Sequence, residues 1–368
     1  MRRVSGYLGV VALLLASAWT AAGTAAAERV VHVYNWSDYI APDTLDKFRA
    51  ATGIRAVYDV FDSNEVLETK LIAGKSGYDV VFPSMKPYGE RMIRAAMLRP
   101  LDRAQLPNLK NIDPAMLNVM AGADPGNRHL VPYMWGTTGI GYNAAKVKAA
   151  LGAAAPVTSW RLLFDPEAAA KLASCGISVL DDDEALAAML VHLGRDPNSA
   201  KPQDLDAAVA AYAKIRPHLR YFHSSKYIEA LANGDLCVAL GFSGDVVQAR
   251  NRAEEAKRGV DIAYAIPVEG ASLWVDTMAI PKDAPHPAEA HAFIDFMMRP
   301  EIIAAISDKV AYANANAAAT PLVSAEVRGD PGVYPPDGVK ARLFTLKLLA
   351  ESERRLRTRA WTKITTGQ

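Results

Sequence analysis

Asp38 stands between Trp36 and Tyr39, Asp276 lies two residues beyond Trp274, and Asp245 lies three beyond Phe242. A carboxylate beside aromatic faces suits the holding of an organic cation. The acid supplies charge, and each ring face adds cation–π attraction of roughly 0.5–2 kcal/mol, depending on desolvation. Asp181, Asp182, Asp183 and Glu184 add a run of acids, and Ser84 and Tyr312 fall at comparable points. Carboxylates gathered in one place repel one another unless a proton or cation joins them. The set therefore points to a cation charged at its ends and apolar between, with rings over the methylenes and acids at the ammonium groups.

Every one of these positions also has an ordinary structural explanation. Asp181 to Glu184 suit the first turn of a helix, where the dipole favours acids. Asp245 suits a cap or turn. Trp274 and Phe242 suit a core, and Ser84 and Ser224 suit turns. Capping explains Asp38 poorly, because Pro42 reads as the first helical position and puts the cap near Ala41. Ser37 and Asp38 are then left in the crossover with uncommitted side chains.

The elements that must position these groups alternate between short β-rich runs and amphipathic helical ones, the pattern of a parallel sheet with crossover helices. Strands are expected at 30–34, 56–61, 78–83, 176–180 and 237–242. Helices are expected at 42–52, 65–73, 186–193, 204–215 and 288–297. In open α/β sheets ligands bind beyond the carboxyl ends of strands. Asp38, Ser84, Asp181 to Glu184 and Asp245 all fall there. Strand-like segments at 139–143 and 274–280 suit a chain that leaves one domain and later returns to it.

The chain has 368 residues. Arg2 and Arg3, the apolar run Leu8 to Ala18 and the small residues Ala25 to Ala27 read as a cleavable signal peptide over 1–27. Removing Arg2 and Arg3 takes the formal charge from +1 to −1, which leaves no electrostatic footprint for nucleic acid. The remainder is long enough for two domains. Cys175 and Cys237 are the only cysteines. In an oxidising compartment they suit either a disulfide closing a long loop or two buried thiols.

Catalytic signatures fail. Gly241-Phe242-Ser243-Gly244-Asp245 lacks the last glycine of a nucleophile elbow. The histidines form no zinc-binding spacing. Gly139-Ile140-Gly141-Tyr142-Asn143-Ala144 matches a dinucleotide fingerprint without the capped helix that must follow at once. No cofactor or metal is expected.

Longer stretches carry a resemblance. "YNWSDYIAPDTLDKF", "VYDVFDSNEVLETKLIAG", "PYMWGTTGIGYN", "RYFHSSKYIEALANGD", "YANANAAATPLVSAEVR" and "LRTRAWTK" resemble the bacterial periplasmic putrescine-binding proteins, the solute receptors of ABC-type polyamine importers. The likeness runs through the mature chain. It implies an α/β, two-lobed periplasmic-binding-protein (type II, Venus flytrap) fold with hinge strands, lobe 1 being 28–136 with 274–320 and lobe 2 being 137–273 with 321–368. It implies a Cys175–Cys237 disulfide.

The resemblance also implies ligand contacts at Trp36, Ser37, Asp38, Tyr39, Ser84, Glu184, Ser224, Asp245, Asp276 and Tyr312, to which Asp182, Phe242 and Trp274 are added as candidates. Asp38 is expected to hold an ammonium between Trp36 and Tyr39. The chain departs from the family at Phe242 (Trp there), at Trp274 (Phe there), in the acidic run 181–184 and just after Ser84, while Leu346 keeps the family's apolar residue. Putrescine and spermidine thus both stay open as ligands. A monomeric, non-enzymatic receptor serving an inner-membrane permease is expected, with an exported amine-modifying enzyme or a polyamine sensor as alternatives.

Overall fold

The computed structural model describes residues 28–367; the expected signal peptide lies outside the described residues. Alternating valines in Val30–Trp36 bury one edge of strand β1, which lies parallel between β2 (Arg55–Phe61) and β3 (Val80–Val81). Two long strands follow, β4 (Leu130–Asn143) and, later, β9 (Ala271–Ala279). Between them come β5 (Ile177–Val179), β6 (Tyr221–Phe222), β7 (Val238–Phe242) and β8 (Ile262–Ala265). The strand order is β2-β1-β3-β9-β4-β7-β5-β6, with β8 also on β4.

The sheet is mixed rather than parallel throughout. β1, β2 and β3 are mutually parallel, as are β5, β6 and β7, but β4 and β9 run antiparallel to each other, β9 antiparallel to β3 and β4 antiparallel to β7. β4 changes partners along its length. Leu130–Thr137 pairs with β9, and Thr138–Tyr142 pairs with β7. It thereby runs from one hydrophobic core into another.

The first core gathers Val31, Phe48, Val80, Phe82, Tyr133 and Phe293, and the second gathers Trp160, Leu163, Leu186, Tyr212 and Leu240. β9 crosses as well, since Ala271 belongs to the second core and Val275 to the first. Val323, Val327 and Val333 pack in the first core, so that core takes in chain beyond residue 320, where the sequence reading changed lobe. The C-terminal helix Glu351–Thr366 returns to the second core through Ala360 and Ile364. Cys175 and Cys237 form a disulfide, their Cα atoms 5.4 Å apart.

Helix starts aim the functional groups. Ser63 caps the helix Asn64–Ile72 through Val66 N, and Asp182 caps Asp183–His192 through Glu184 N at 3.0 Å. The helix Ser243–Ala256 begins directly after β7 and carries Asp245 in its first turn. Its Val247 joins the first core while Val246 and Ala249 join the second, so it bridges both. The expected helix at 42–52 starts at Thr44, with Asp43 in the cap position making no capping hydrogen bond and pairing instead with Lys47.

Candidate functional site

A cavity of about 750 Å³, measured out to its mouth, opens between the two cores. Twelve of the thirteen candidates line it: Trp36, Ser37, Tyr39, Ser84, Asp182, Glu184, Ser224, Phe242, Asp245, Trp274, Asp276 and Tyr312. Asp38 is the exception. It has left-handed backbone (φ 55°), and its Oδ1 accepts from Arg252 Nη2 at 2.7 Å. Both side chains are about two-fifths exposed. Asp38 thus pairs with Arg252 rather than lining the cavity wall, yet its charge raises the Asp245 carboxyl, so it stands near that end of the cavity.

One end of the cavity is built around Asp245 and Asp276. Tyr227 Oη donates to Asp245 Oδ2 and Tyr312 Oη to Oδ1, both at 2.6 Å, and the Asp245 amide donates to Tyr312 Oη at 3.1 Å. Two phenols thus fix one carboxylate in a single orientation. Asp276 Oδ1 accepts from Ser84 Oγ at 2.6 Å, and Ser84 is itself held by Asn64 through two 3.0 Å bonds. Burial pushes Asp245 up to about 6 and Asp276 up to about 7, against the hydrogen bonds that favour their ionised forms. The buried Tyr39 hydroxyl lies close enough to Asp276 to feel its charge but makes no well-aligned hydrogen bond.

The second acidic group comes from the start of the helix Asp183–His192. Glu184 Oε1 accepts from Ser272 Oγ at 3.0 Å, while Oε2 is buried with no partner among the described residues. Burial raises Glu184 to about 7. Asp182 is raised well above the carboxylate range by burial and by the charges of Glu184, Glu65 and Asp183. Ser224 Oγ reaches Asp182 Oδ2 at 3.3 Å. The helix-start explanation thus holds, with Asp182 at the N-cap and Asp183 and Glu184 in the first turn, yet all three also line the cavity.

Aromatic rings wall the space between. Trp274 meets Phe242 and Tyr312 edge-on, with centroids 5.6 and 5.3 Å apart, and Tyr39 meets Tyr312 at 5.1 Å. Trp36 is fixed by its Nε1 donating to Phe82 O at 2.9 Å and packs on Phe61. Among the lining residues Lys86 is the one cation, and it makes no ion pair with these acids; its ammonium lies by Gly122. Several buried carboxylates with raised pKa, apolar rings and no cationic side chain between them make a site short of positive charge. No group of three or more His, Cys, Asp or Glu side chains is placed to hold a metal among the described residues.

Residues 43–335 match the family model of the bacterial extracellular solute-binding proteins. The chain belongs to this family. Within it, the chain is 56% identical over 349 residues to a putrescine-binding periplasmic protein of Escherichia coli (strain K12), with 94% of each chain covered. It is 54% identical over 360 residues to a putrescine-binding periplasmic protein of Pseudomonas aeruginosa (strain UCBPP-PA14), with 98% of each covered. Its fold matches the crystal structure of a spermidine/putrescine ABC transporter substrate-binding protein of Streptococcus pneumoniae strain Canada MDR_19A, with a TM-score of 0.73 and 30% identity over 92% of this chain and 99% of that one. These relatives are binding proteins, and the two-lobed type II fold is the architecture of this family member.

Sequence reasoning missed Glu65 and Tyr88 as cavity residues, and it left open which acid of Asp181 to Glu184 faces the cavity, where Asp182, Asp183 and Glu184 all do. Glu65 accepts a short hydrogen bond from Tyr88 and is raised by burial. An acid in the first turn of a helix looks like a dipole partner in sequence, and only the closeness of the two cores gives Glu65 another role.

Proposed function

We propose that this solute-binding protein is a periplasmic receptor for a linear polyamine, captured as a polycation between its lobes and handed to the permease of an ABC importer. The observation that carries the reading is two acidic groups, the buried Asp245 with Asp276 and the half-buried Asp182 with Glu184, joined by an aromatic wall without a cation of its own. The names of the close relatives support the same ligand class, the same compartment and the same kind of partner. An amine-modifying enzyme, the alternative from another class, finds no support among relatives that are binding proteins.

Capture works through charge and closure. In the empty site, raised pKa values let the carboxyls keep protons, which lowers their mutual repulsion. An arriving ammonium displaces those protons and takes their place, since a desolvated charge needs a partner. The two cores act as the lobes, with β4 and β9 as connections between them. Ligand contacts drawn from both cores, such as Ser84 from one side and Asp245 from the other, favour the closed arrangement by population shift. The receptor acts as a monomer and presents its closed surface to the permease.

Calorimetric titration of refolded, ligand-stripped protein with putrescine and with spermidine tests this function. Saturable binding of at least one is expected. Binding of neither overturns the polyamine reading.

A further inference from the structure

The acidic run at the start of the helix Asp183–His192 divides into two sets. Asp182 and Glu184 accept from Ser224 and Ser272 at the cavity. Asp181 and Asp183 are held by the C-terminal helix Glu351–Thr366. Trp361 Nε1 donates to Asp181 Oδ1 at 3.0 Å, and Arg357 Nε donates to Asp183 Oδ1 at the same distance. Arg357 and Trp361 stand one turn apart on one face of their helix.

Both holders are themselves fixed. Arg357 is 3% exposed. Its Nη2 lies 2.9 Å from Asp183 Oδ1, and its Nη1 donates to Pro197 O and Ser199 O at 2.9 Å. Trp361 packs edge-on against Phe222 and Tyr212, with centroids 5.6 and 5.9 Å away, and Tyr212 Oη in turn donates to Ala185 O at 2.9 Å. The start of the acidic helix is thereby gripped at Asp181, Asp183 and Ala185.

We infer that Arg357 and Trp361 are positioning residues of the polyamine site: by holding Asp183 and Asp181 they fix the start of the acidic helix in the register that presents Asp182 and Glu184 to the ligand. The inference rests on the polyamine reading of the cavity. Arg357 also acts through its charge. Desolvation raises Glu184 to about 7 against the Ser272 hydrogen bond; Asp183 adds to the rise and Arg357 opposes it. The other ionisable groups facing these acids are Glu65 from the first core, which acts on Asp182, and the Tyr264 hydroxyl from β8, beside Glu184. Neither is a cation, so the offset to Asp183 comes from Arg357. Without it, Glu184 ionises less readily and grips an ammonium only at higher pH.

The test is calorimetric titration of ligand-stripped protein with putrescine and with spermidine from about pH 5 to 8, a range that spans the raised carboxyls. Each protein yields the pH at which its affinity falls away. Arg357→Met should move that midpoint upward by about one pH unit, the low end for loss of a neighbouring opposite charge. Asp183→Asn keeps the shape of the side chain without its charge and should move the midpoint downward. Trp361→Phe keeps a ring and drops only the N–H, so it should weaken binding about threefold, the effect of one hydrogen bond, with the midpoint unmoved. A merely structural role would move both charge variants alike. A midpoint that stays put in Asp183→Asn, or moves the same way in both, overturns the role of Arg357, and Asp183→Asn decides alone if Arg357→Met does not fold. Wild-type affinity in Trp361→Phe overturns the role of Trp361. If the wild type binds an amine while the variants match it, only the positioning inference is lost; if the wild type binds neither amine, the reading of the cavity is lost with it.

Discussion

Asp38 and Arg252 meet with Oδ1 2.7 Å from Nη2, although 214 residues separate them in the chain. Asp38 follows β1 of the first core, and Arg252 lies on the helix that bridges to the second. Under the proposed capture by closure, this pair acts as a clasp. Arg252→Ala should weaken polyamine binding by up to about 1 kcal/mol, the ceiling for an exposed ion pair. The wild-type advantage should fade at high salt. Titrations at low and high ionic strength check both.

Asp245 and Asp276 should behave differently. Each is buried and anchored by hydroxyl donors. Asp245→Asn or Asp276→Asn should cost on the order of 2–5 kcal/mol in binding, as expected on truncating one partner of a buried charge pair. The ligand-free variants should melt no lower than the wild type, because each replaces a carboxyl that is costly to ionise when buried. Calorimetry and thermal melts on the same samples separate the two effects.

Binding should depend on pH with a definite sign. Asp276 and Glu184 are raised to about 7 and Asp245 to about 6 in the empty site. Cation binding requires the ionised forms, so affinity should fall as pH drops below about 7. Stability of the ligand-free protein should run the other way. Raised carboxyl pKa values make a contribution that is fully present below the unfolded values near 4 and is lost as pH rises through 6 to 7. Melting temperatures with and without ligand across pH 4–8 should therefore diverge as pH rises.

Gly136 sits directly opposite Trp274 in the β4–β9 ladder. A Cβ there would lie 2.8 Å from two indole atoms and 2.9 Å from Ser243 Oγ. Gly136→Ala should push the indole from its place in the cavity wall, with an overpacking cost of about 1–3 kcal/mol. Tryptophan fluorescence and the ratio of affinities for diamines of different length should both change; a change in stability alone would contradict this.

The disulfide joins positions 62 residues apart. Closing a loop of that length constrains the unfolded chain by about 4 kcal/mol in the entropy model. Cys175→Ser with Cys237→Ser should lose a stability increment of that order in urea melts.

Much of this architecture was legible because its signals are local. The apolar runs at β1 and β7 and the helices at Pro202–Ile215 and Pro287–Met297 were read to within a few residues. The first half of β4 was not, since Pro132 and Gly136 interrupt its run of strand-forming residues, and the segment is held in the sheet by distant β9. Sheet direction also escaped, because apolar strands buried on both faces look alike whether parallel or antiparallel. Asp245 and Asp276 stood out through aromatic neighbours in sequence. Asp38 had the same signature but a distant arginine partner, and Glu65 had no local signature beyond a helix start.

The most direct test of the central claim is a crystal structure of the protein with putrescine bound. The account predicts an ammonium within about 2.7–2.9 Å of the Asp245 or Asp276 carboxylate, the range of charge-assisted hydrogen bonds, with the methylenes against Trp274 and Phe242. An ammonium held instead at the surface by Asp38, or a diamine outside the aromatic wall, would contradict it.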